Sequence, residues 1–402
     1  MTRKITYALK AVLMLSLTGS SLVSFAQKPV LGQVNEGRIP TPAMLFLNIS
    51  PDARSAAMGD AGVAISSDVN AIYWNPAKLA VADREFGVSL SYTPWLRNLI
   101  NDMALYNLSA YKKIGKGQTI GLAVNYFDQG LFQATDDQGT IKGNFNSKEY
   151  AITGSYSRVL STHLSLGVNL KFLNSNLIGN YATGGSQAIT KSPSTVAADI
   201  GLFYDTKRDK PWNYTYGLMI SNISGKINYG STQDNFVPTN FKLGMAATRT
   251  IDQHNRFTFT LDLNKLMVPT PPSYKTVNGV TVIDKGTDPN TKSALSGMFG
   301  SFGDAPDGIS EELKEVTVSL GGEYVYNDMF AARVGYFNES EMKGNRKYAT
   351  VGVGFKLEKK YSFDFAYLLP TGGSGSPLAN TLRISLAATF DGAPKSVASE
   401  SK

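Results

Sequence analysis

From Glu85 onward, apolar and polar residues alternate in runs of about ten, each closed by a turn. In His163 to Phe172, Leu164, Leu166, Val168, Leu170 and Phe172 fall on one face, while Ser165, Gly167, Asn169 and Lys171 fall on the other. Arg256 to Asn264 repeats this with Phe257, Phe259, Leu261 and Leu263 against Thr258, Thr260, Asp262 and Asn264. Thr381 to Phe390 sets Leu382, Ile384, Leu386, Ala388 and Phe390 against Arg383, Ser385 and Thr389. Fourteen such runs begin near Glu85, Met103, Thr119, Glu149, Leu164, Thr195, Asn213, Asn240, Arg256, Glu315, Met329, Ala349, Tyr361 and Thr381. An even number of tilted strands of about ten residues is what a closed antiparallel barrel in an outer membrane requires. The expected fold is all-β: a 14-stranded antiparallel transmembrane β-barrel over residues 85–390, with a short C-terminal tail at 391–402.

The spacing between runs points the same way. Connections at Lys112–Gly117, Arg158–Thr162, Asp205–Pro211, Arg249–His254, Tyr326–Asp328 and Glu358–Lys360 are short. Those at Asp128–Ser147, Leu173–Ser194, Asn222–Pro238 and Lys265–Lys314 are long. Short periplasmic turns alternating with long outer loops mark an outer-membrane barrel. Tyr92, Trp95, Tyr126, Tyr150, Tyr204, Trp212, Tyr324, Tyr336 and Tyr367 collect near run ends, where amphipathic rings would sit at headgroup level. A soluble β-sandwich also alternates, but it does not call for the persistent short/long rhythm.

The first residues read as an address. Arg3, Lys4 and Lys10 surround a short apolar run from Ala11 to Leu17, and Ser24-Phe25-Ala26 is a small-x-small site. Residues 1–26 are expected to be a signal peptide cleaved before Gln27. The apolar core is far shorter than the roughly 20 residues of a membrane helix, which argues against an anchor. Lys+Arg is 39 against 32 Asp+Glu, a formal charge of +7, and loss of the three basic residues lowers it to +4. That excess is weak for a nucleic-acid binder. The chain has no cysteine and two histidines, which leaves little material for thiolate chemistry, a zinc site or a His-based triad. His163 and His254 both fall at expected short turns, with no Ser and acid in an evident motif. No enzyme activity and no cofactor is expected.

With the apolar face toward lipid, the lumen is lined by Gly, Ser, Thr, Asn and a set of charges. Lys242 with Asp262, and Glu323 with Arg333, lie about equally far from their short turns and should face each other across neighbouring strands. The pairs suit either a selectivity lining or internal pairing that stiffens a narrow lumen. A channel for acyl chains would call for a more apolar interior.

Residues 27–84 do not alternate and are expected to form a plug or hatch in the barrel. Asn75 before Pro76 reads as a helix N-cap and first helical residue. Gly59 and Gly62 lack the Gly-Lys-Ser/Thr ending of a phosphate loop. Ser50-Pro51-Asp52-Ala53-Arg54, Met58-Gly59-Asp60 and Trp74-Asn75-Pro76-Ala77-Lys78 resemble the N-terminal signature of the FadL-like outer-membrane superfamily, whose fold is a fourteen-stranded barrel with an N-terminal plug. Within it the chain resembles the PorV (LptO) branch, an outer-membrane component of the type IX secretion system of Bacteroidetes. A second block, Ser296 to Pro306 with Glu311 and Glu312, resembles that branch's longest outer loop. The resemblance implies partners: a SprA/Sov-type translocon barrel, cargo proteins bearing the type IX C-terminal signal domain, and an attachment complex that includes a PorU-type sortase. The alternative is a FadL-like outer-membrane transporter of hydrophobic small molecules.

The long outer loop favours the first reading. A Pro-rich entry at Pro269, Pro271 and Pro272 leads to Leu295, Met298, Phe299 and Phe302, a candidate partner surface. A lid folded over the barrel mouth is the competing reading. Trp95, Leu96, Leu99 and Ile100 in the first outer loop admit the same two readings.

Overall fold

The structure, a computed structural model, describes residues 38–96, 102–136, 138–178, 191–206, 211–371 and 381–391. The expected signal peptide, residues 27–37, Leu99, Ile100 and the tail beyond Asp391 lie outside the described residues.

Fourteen antiparallel strands close into one barrel. The first nine are β1 (Phe86–Pro94), β2 (Ala104–Gly115), β3 (Gln118–Thr135), β4 (Ile141–Val159), β5 (Leu164–Asn176), β6 (Ser194–Asp205), β7 (Trp212–Ser224), β8 (Asn240–Thr250) and β9 (Asn255–Leu266). A small separate hairpin follows, β10 (Ser273–Val277) and β11 (Val280–Lys285). The barrel then resumes with β12 (Val316–Tyr326), β13 (Phe330–Asn338), β14 (Lys347–Leu357), β15 (Tyr361–Pro370) and β16 (Leu382–Phe390). β16 closes on β1, with Phe86 opposite Phe390 and Leu90 opposite Leu386.

Every expected strand is present, and all but one begin within two residues of the expected position. The exception is β4, which begins at Ile141 rather than near Glu149. β3 and β4 run on past their neighbours: β2 pairs only as far as Asp128, and β5 only as far as Lys148. Much of the expected Asp128–Ser147 loop is therefore a two-stranded ribbon above the rim. Outside the bilayer no lipid selects an apolar face, so the alternation that marks the other strands is absent there. β10 and β11 likewise show no alternation, because they carry apolar residues on both faces.

Parity along the strands is as expected. Leu90, Leu108, Leu122, Leu170, Phe259 and Val334 point outward and are exposed, while Ser89, Ser109, Ser157, Ser165 and Thr260 point inward and are buried. Outward Tyr92, Tyr106 and Tyr126 form a row across β1–β3, with ring centroids 5.3 and 6.5 Å apart, as an interface girdle should.

Candidate functional site

The barrel is filled from within by residues that precede β1. Short helical turns at Ala53–Ala56 and Ala71–Trp74, and 3-10 turns at Leu45–Asn48 and Pro76–Val81, are joined by irregular backbone. Asp52 caps the first helical turn, its Oδ2 accepting from the Ser55 amide at 2.9 Å, and its Oδ1 takes the Trp74 indole N–H at 2.5 Å. Asn75 caps the last turn as expected, accepting from the Ala77 amide at 3.1 Å with Pro76 at the first position. The Asn75 amide also donates to the Leu202 carbonyl of β6 at 2.9 Å.

Irregular backbone buried in a barrel must find partners outside itself, since an unpaired N–H or C=O away from water is costly. The inward polar face supplies them. Thr350 accepts from the Gly59 amide and donates to the Ala57 carbonyl, both at 2.9 Å. Ser165 donates to the Ala77 carbonyl at 2.8 Å, Thr215 to the Ala64 carbonyl at 2.7 Å and Asn169 to the Ile72 carbonyl at 2.9 Å. Asp262 Oδ2 accepts from the Gly62 and Val63 amides at 2.7 and 2.8 Å. The polar lumen is thus a cradle for the plug backbone, an arrangement that neither a selectivity lining nor simple charge pairing describes.

The two expected charge pairs fare differently. Glu323 and Arg333 face each other on β12 and β13 and bond at 2.7 Å. Plug residue Arg54 joins them, with Nε and Nη2 each 3.1 Å from the Glu323 carboxylate and Nη1 2.9 Å from Asp68. Arg333 also reaches Asp364 at 2.6 Å. Lys242 and Asp262 do not pair. The register sets Lys242 opposite Asn264 and Asp262 opposite Gly244, a two-residue offset. Asp262 is taken by the plug amides, and Lys242 Nζ lies 5.3 and 5.2 Å from the ring centroids of Tyr73 and Trp74.

Inward glycines mark where the plug touches the wall. A Cβ at Gly167, Gly201, Gly217, Gly321, Gly335 or Gly352 would come within 3.0 Å of plug atoms, at Gly335 the Met58–Gly59 backbone itself. Gly59 is also held at φ 69°, a conformation few other residues adopt. These inward glycines are a sequence signal of the plug's path that alternation alone does not read.

Above the plug a cavity of about 880 Å³ opens toward the long loops. Its walls include Met44, Phe46, Ile49, Trp95, Leu96, Phe127, Phe337 and Leu368, and its floor Asp60, Lys242, Asp262 and Arg383. The inward face is therefore more apolar near the mouth than the sequence pattern indicates. Plug residue Asp60 binds Arg383 Nη1 at 2.7 Å and the Tyr348 hydroxyl at 2.5 Å.

Beside the cavity the long loop carries helices Ala294–Gly300 and Ile309–Lys314. Charges hold it down. Glu311 accepts from Arg38 at 2.9 and 2.7 Å and from Lys343 at 2.7 Å. Lys343 also bonds Glu315 at 2.7 Å, and Lys265 bonds Glu312 at 2.9 Å. Burial pushes the Glu311 carboxyl up, but the hydrogen bonds from Arg38 and Lys343 outweigh it and hold the group down at about 2, against an ordinary 4.5. A depressed folded pKa contributes stability that is complete above the unfolded value and lost as pH falls through the folded one. The loop should therefore keep its protection at pH 5 and lose it between pH 4.5 and 2. Hydrogen-exchange protection factors for residues 304–315 across that range test this; unchanged protection at pH 2 would remove Glu311 from the latch.

The apolar candidates on this loop are split. Leu295 and Phe299 are 60% and 68% exposed, whereas Met298 is buried. Met298 is thus a correction to the expected exposed cluster: the helix turns this side chain inward, beside Gly297, which is packed against the Phe236 ring. Phe302 is half-exposed and lies edge-on to Phe241, centroids 5.9 Å apart. Phe241 shares the outward parity of Leu243 and Met245, so the loop leans on the outer wall at this point. Trp95 and Leu96 line the cavity instead. His163 and His254 sit at turns, with Nδ1 of each 2.8 and 3.0 Å from the Asp205 carbonyl and the Asn327 side chain.

A family model described as type IX secretion system protein PorV matches residues 32–273. The chain belongs to the PorV family. This PorV chain is accordingly an outer-membrane β-barrel of the type IX secretion system class, a family of secretion components rather than enzymes. Among solved structures it is similar to the Ralstonia pickettii toluene transporter TbuX, at 11% identity and TM-score 0.46 over 84% of this chain and 98% of that one. It is similar to the Pseudomonas putida toluene transporter TodX at 12% and 0.46, over 84% and 96% of the two chains. A Pseudomonas aeruginosa FadL homologue aligns at 13% and 0.45, over 85% and 99%. No curated protein matches.

Proposed function

We propose that this PorV chain binds a SprA/Sov-type translocon barrel, receives cargo through its C-terminal signal domain and passes it to an attachment complex containing a PorU-type sortase. The observation that carries the reading is a set of exposed apolar side chains on the two helices of the long loop. Leu295 and Phe299, with Ile309 and Leu313 at 80% and 69% exposure, face outward on a loop fastened by ion pairs beneath. A lid would turn these residues down over the mouth. Phe302, half-exposed on the same loop, is a further candidate, whereas Met298 is buried. Trp95 and Leu96 are the candidates for contact at the mouth.

Aromatic and aliphatic anchors buried by a partner commonly contribute on the order of 2 kcal/mol each when they are hot spots. Leu295→Ser with Phe299→Ser should leave the barrel and its insertion unchanged, because both side chains are largely exposed and neither belongs to a barrel strand. Recovery of the translocon or of cargo signal domains on the purified protein should fall at least tenfold, and cargo should accumulate in the periplasm. Undiminished recovery with normal secretion would remove this patch from the function.

The mouth cavity favours a second reading, uptake of hydrophobic small molecules. The plug beneath it supports the first, since the space ends on a polar floor that includes the Asp60–Arg383 ion pair and Lys242.

A further inference from the structure

The hairpin β10–β11 stands apart from the barrel sheet. Among the described residues its two strands pair only with each other, from Val277 opposite Val280 back to Ser273 opposite Lys285. Asn278 and Gly279 make the turn, both at positive φ, 51° and 79°, which suits the right-handed twist of a two-residue hairpin. Gly286, close to Pro272 and Pro306, anchors the root, and the rest projects into solvent.

Two features of the hairpin are unusual for an exposed element. Apolar side chains stand on both faces: Tyr274 and Ile283 oppose each other on one, beside Thr276 and Thr281, while Val277, Val280 and Val282 share the other with Lys275, and all five apolar side chains are exposed. Its edges are also open. Proteins usually blunt a free edge with charge, proline, a bulge or a covering segment. From Thr276 to Ile283 there is no charge and no proline; the ion pair of Lys275 with Asp284 at 2.7 Å and the register shift between Ser273 and Tyr274 both lie toward the root. A lone two-stranded hairpin buries too little to be independently stable.

The chemistry of the edge selects its occupant. Unmatched N–H and C=O groups alternating along a strand are satisfied in full only by another extended backbone. Aliphatic side chains on both faces then favour an incoming strand that is apolar on both of its own faces. We propose that β10–β11 is a strand-addition site that captures an extended apolar segment of a partner polypeptide, the cargo's C-terminal signal domain. The inference rests on the reading of the outer loop as a partner surface, and it adds the mode of capture.

The register supplies the test. In a two-residue hairpin the pair flanking the turn exchanges hydrogen bonds, and the next pair does not. The Thr281 N–H therefore points to the free edge. Thr281→Pro removes that donor and blocks the edge without breaking the internal ladder; Thr281→Val keeps it. The probe is a purified type IX C-terminal signal domain, offered to the full-length protein in lipid nanodiscs. Binding should slow amide exchange over residues 280–285 at least tenfold. Thr281→Pro should weaken capture at least tenfold, and Thr281→Val should not. Capture with unchanged exchange in both hairpin strands, or equal capture by Thr281→Pro, would overturn strand addition while leaving the functional reading in place. No capture by the unaltered protein would overturn both. Slowed exchange without probe, rising with protein concentration, would assign the edge to a second copy of the chain and likewise overturn the proposal.

Discussion

Gly335→Val is expected to unseat the plug and turn a sealed barrel into a conducting one. Gly335 faces inward on β13, and any Cβ there would overlap the Met58 and Gly59 backbone. Neither side can yield cheaply. β13 is laddered to β12 and β14 on both edges, with Gly335 opposite Gly321 and Thr350. Gly59 is fixed by its bond to Thr350 and by its positive φ. Overpacking by a methylene or two already costs about 1–3 kcal/mol where side chains can shift, and here the obstacle is backbone. The segment from Ala56 to Asp60 must therefore leave its cradle. In planar bilayers the unaltered protein should show almost no conductance and the variant large, stable steps, with strand content by circular dichroism unchanged. Gly154→Val is the control, since a Cβ at Gly154 would come no nearer than 4.0 Å to the Leu170 carbonyl oxygen. A silent Gly335→Val, or robust conductance in the unaltered protein, would show that the plug is not the seal.

Arg54→Ala should have the next largest effect, and it acts on the same seal through charge. Among the described residues Arg54 is the plug side chain that joins the cluster of Glu323, Arg333 and Asp364, and it also holds Asp68 within the plug. Glu323 and Arg333 are buried. Removing one partner of a buried ionic group leaves the others short of compensation and typically costs about 3–5 kcal/mol. Amide protection over residues 53–69 should fall about a hundredfold or more, with the barrel strands unaffected. Coupling gives a sharper check. If Arg54 acts chiefly through Glu323, then Arg54→Ala with Glu323→Gln should lose less than the sum of the two single losses. Additive losses would show that the two residues stabilise the plug independently, and unchanged protection in Arg54→Ala would remove the cluster from plug docking.

The barrel was legible in the chain because lipid acts on every strand in the same way. Each outward position must be apolar and each inward one need not be, so a period of two survives for the length of the membrane, and the start of β5 or β9 can be read to within a residue. Where that solvent ends, so does the pattern. The ribbon at the top of β3 and β4 carries no alternation that separates it from a loop, and β10–β11 carries none either, although Asn278-Gly279 is a strong hairpin signal. The caps at Asp52 and Asn75 are local, and the proline that follows Asn75 makes that one legible from the sequence.

Long-range pairing decided the rest. Glu323 and Arg333 could be matched from their distance to one short turn, but the two-residue offset between Lys242 and Asp262 depends on register, and the capture of Asp262 by two plug amides depends on a segment some 200 residues away. The inner face was visibly polar, yet polarity alone does not tell a water-filled lining from a cradle for buried backbone. Likewise the residue types of Leu295, Met298, Phe299 and Phe302 announced an apolar loop, but only the packing of its helix turned Met298 inward and left Leu295 and Phe299 facing out. Alternation toward lipid is a local property of each strand and can be read one residue after another. Which polar group meets which backbone atom is settled only when the barrel closes around the plug.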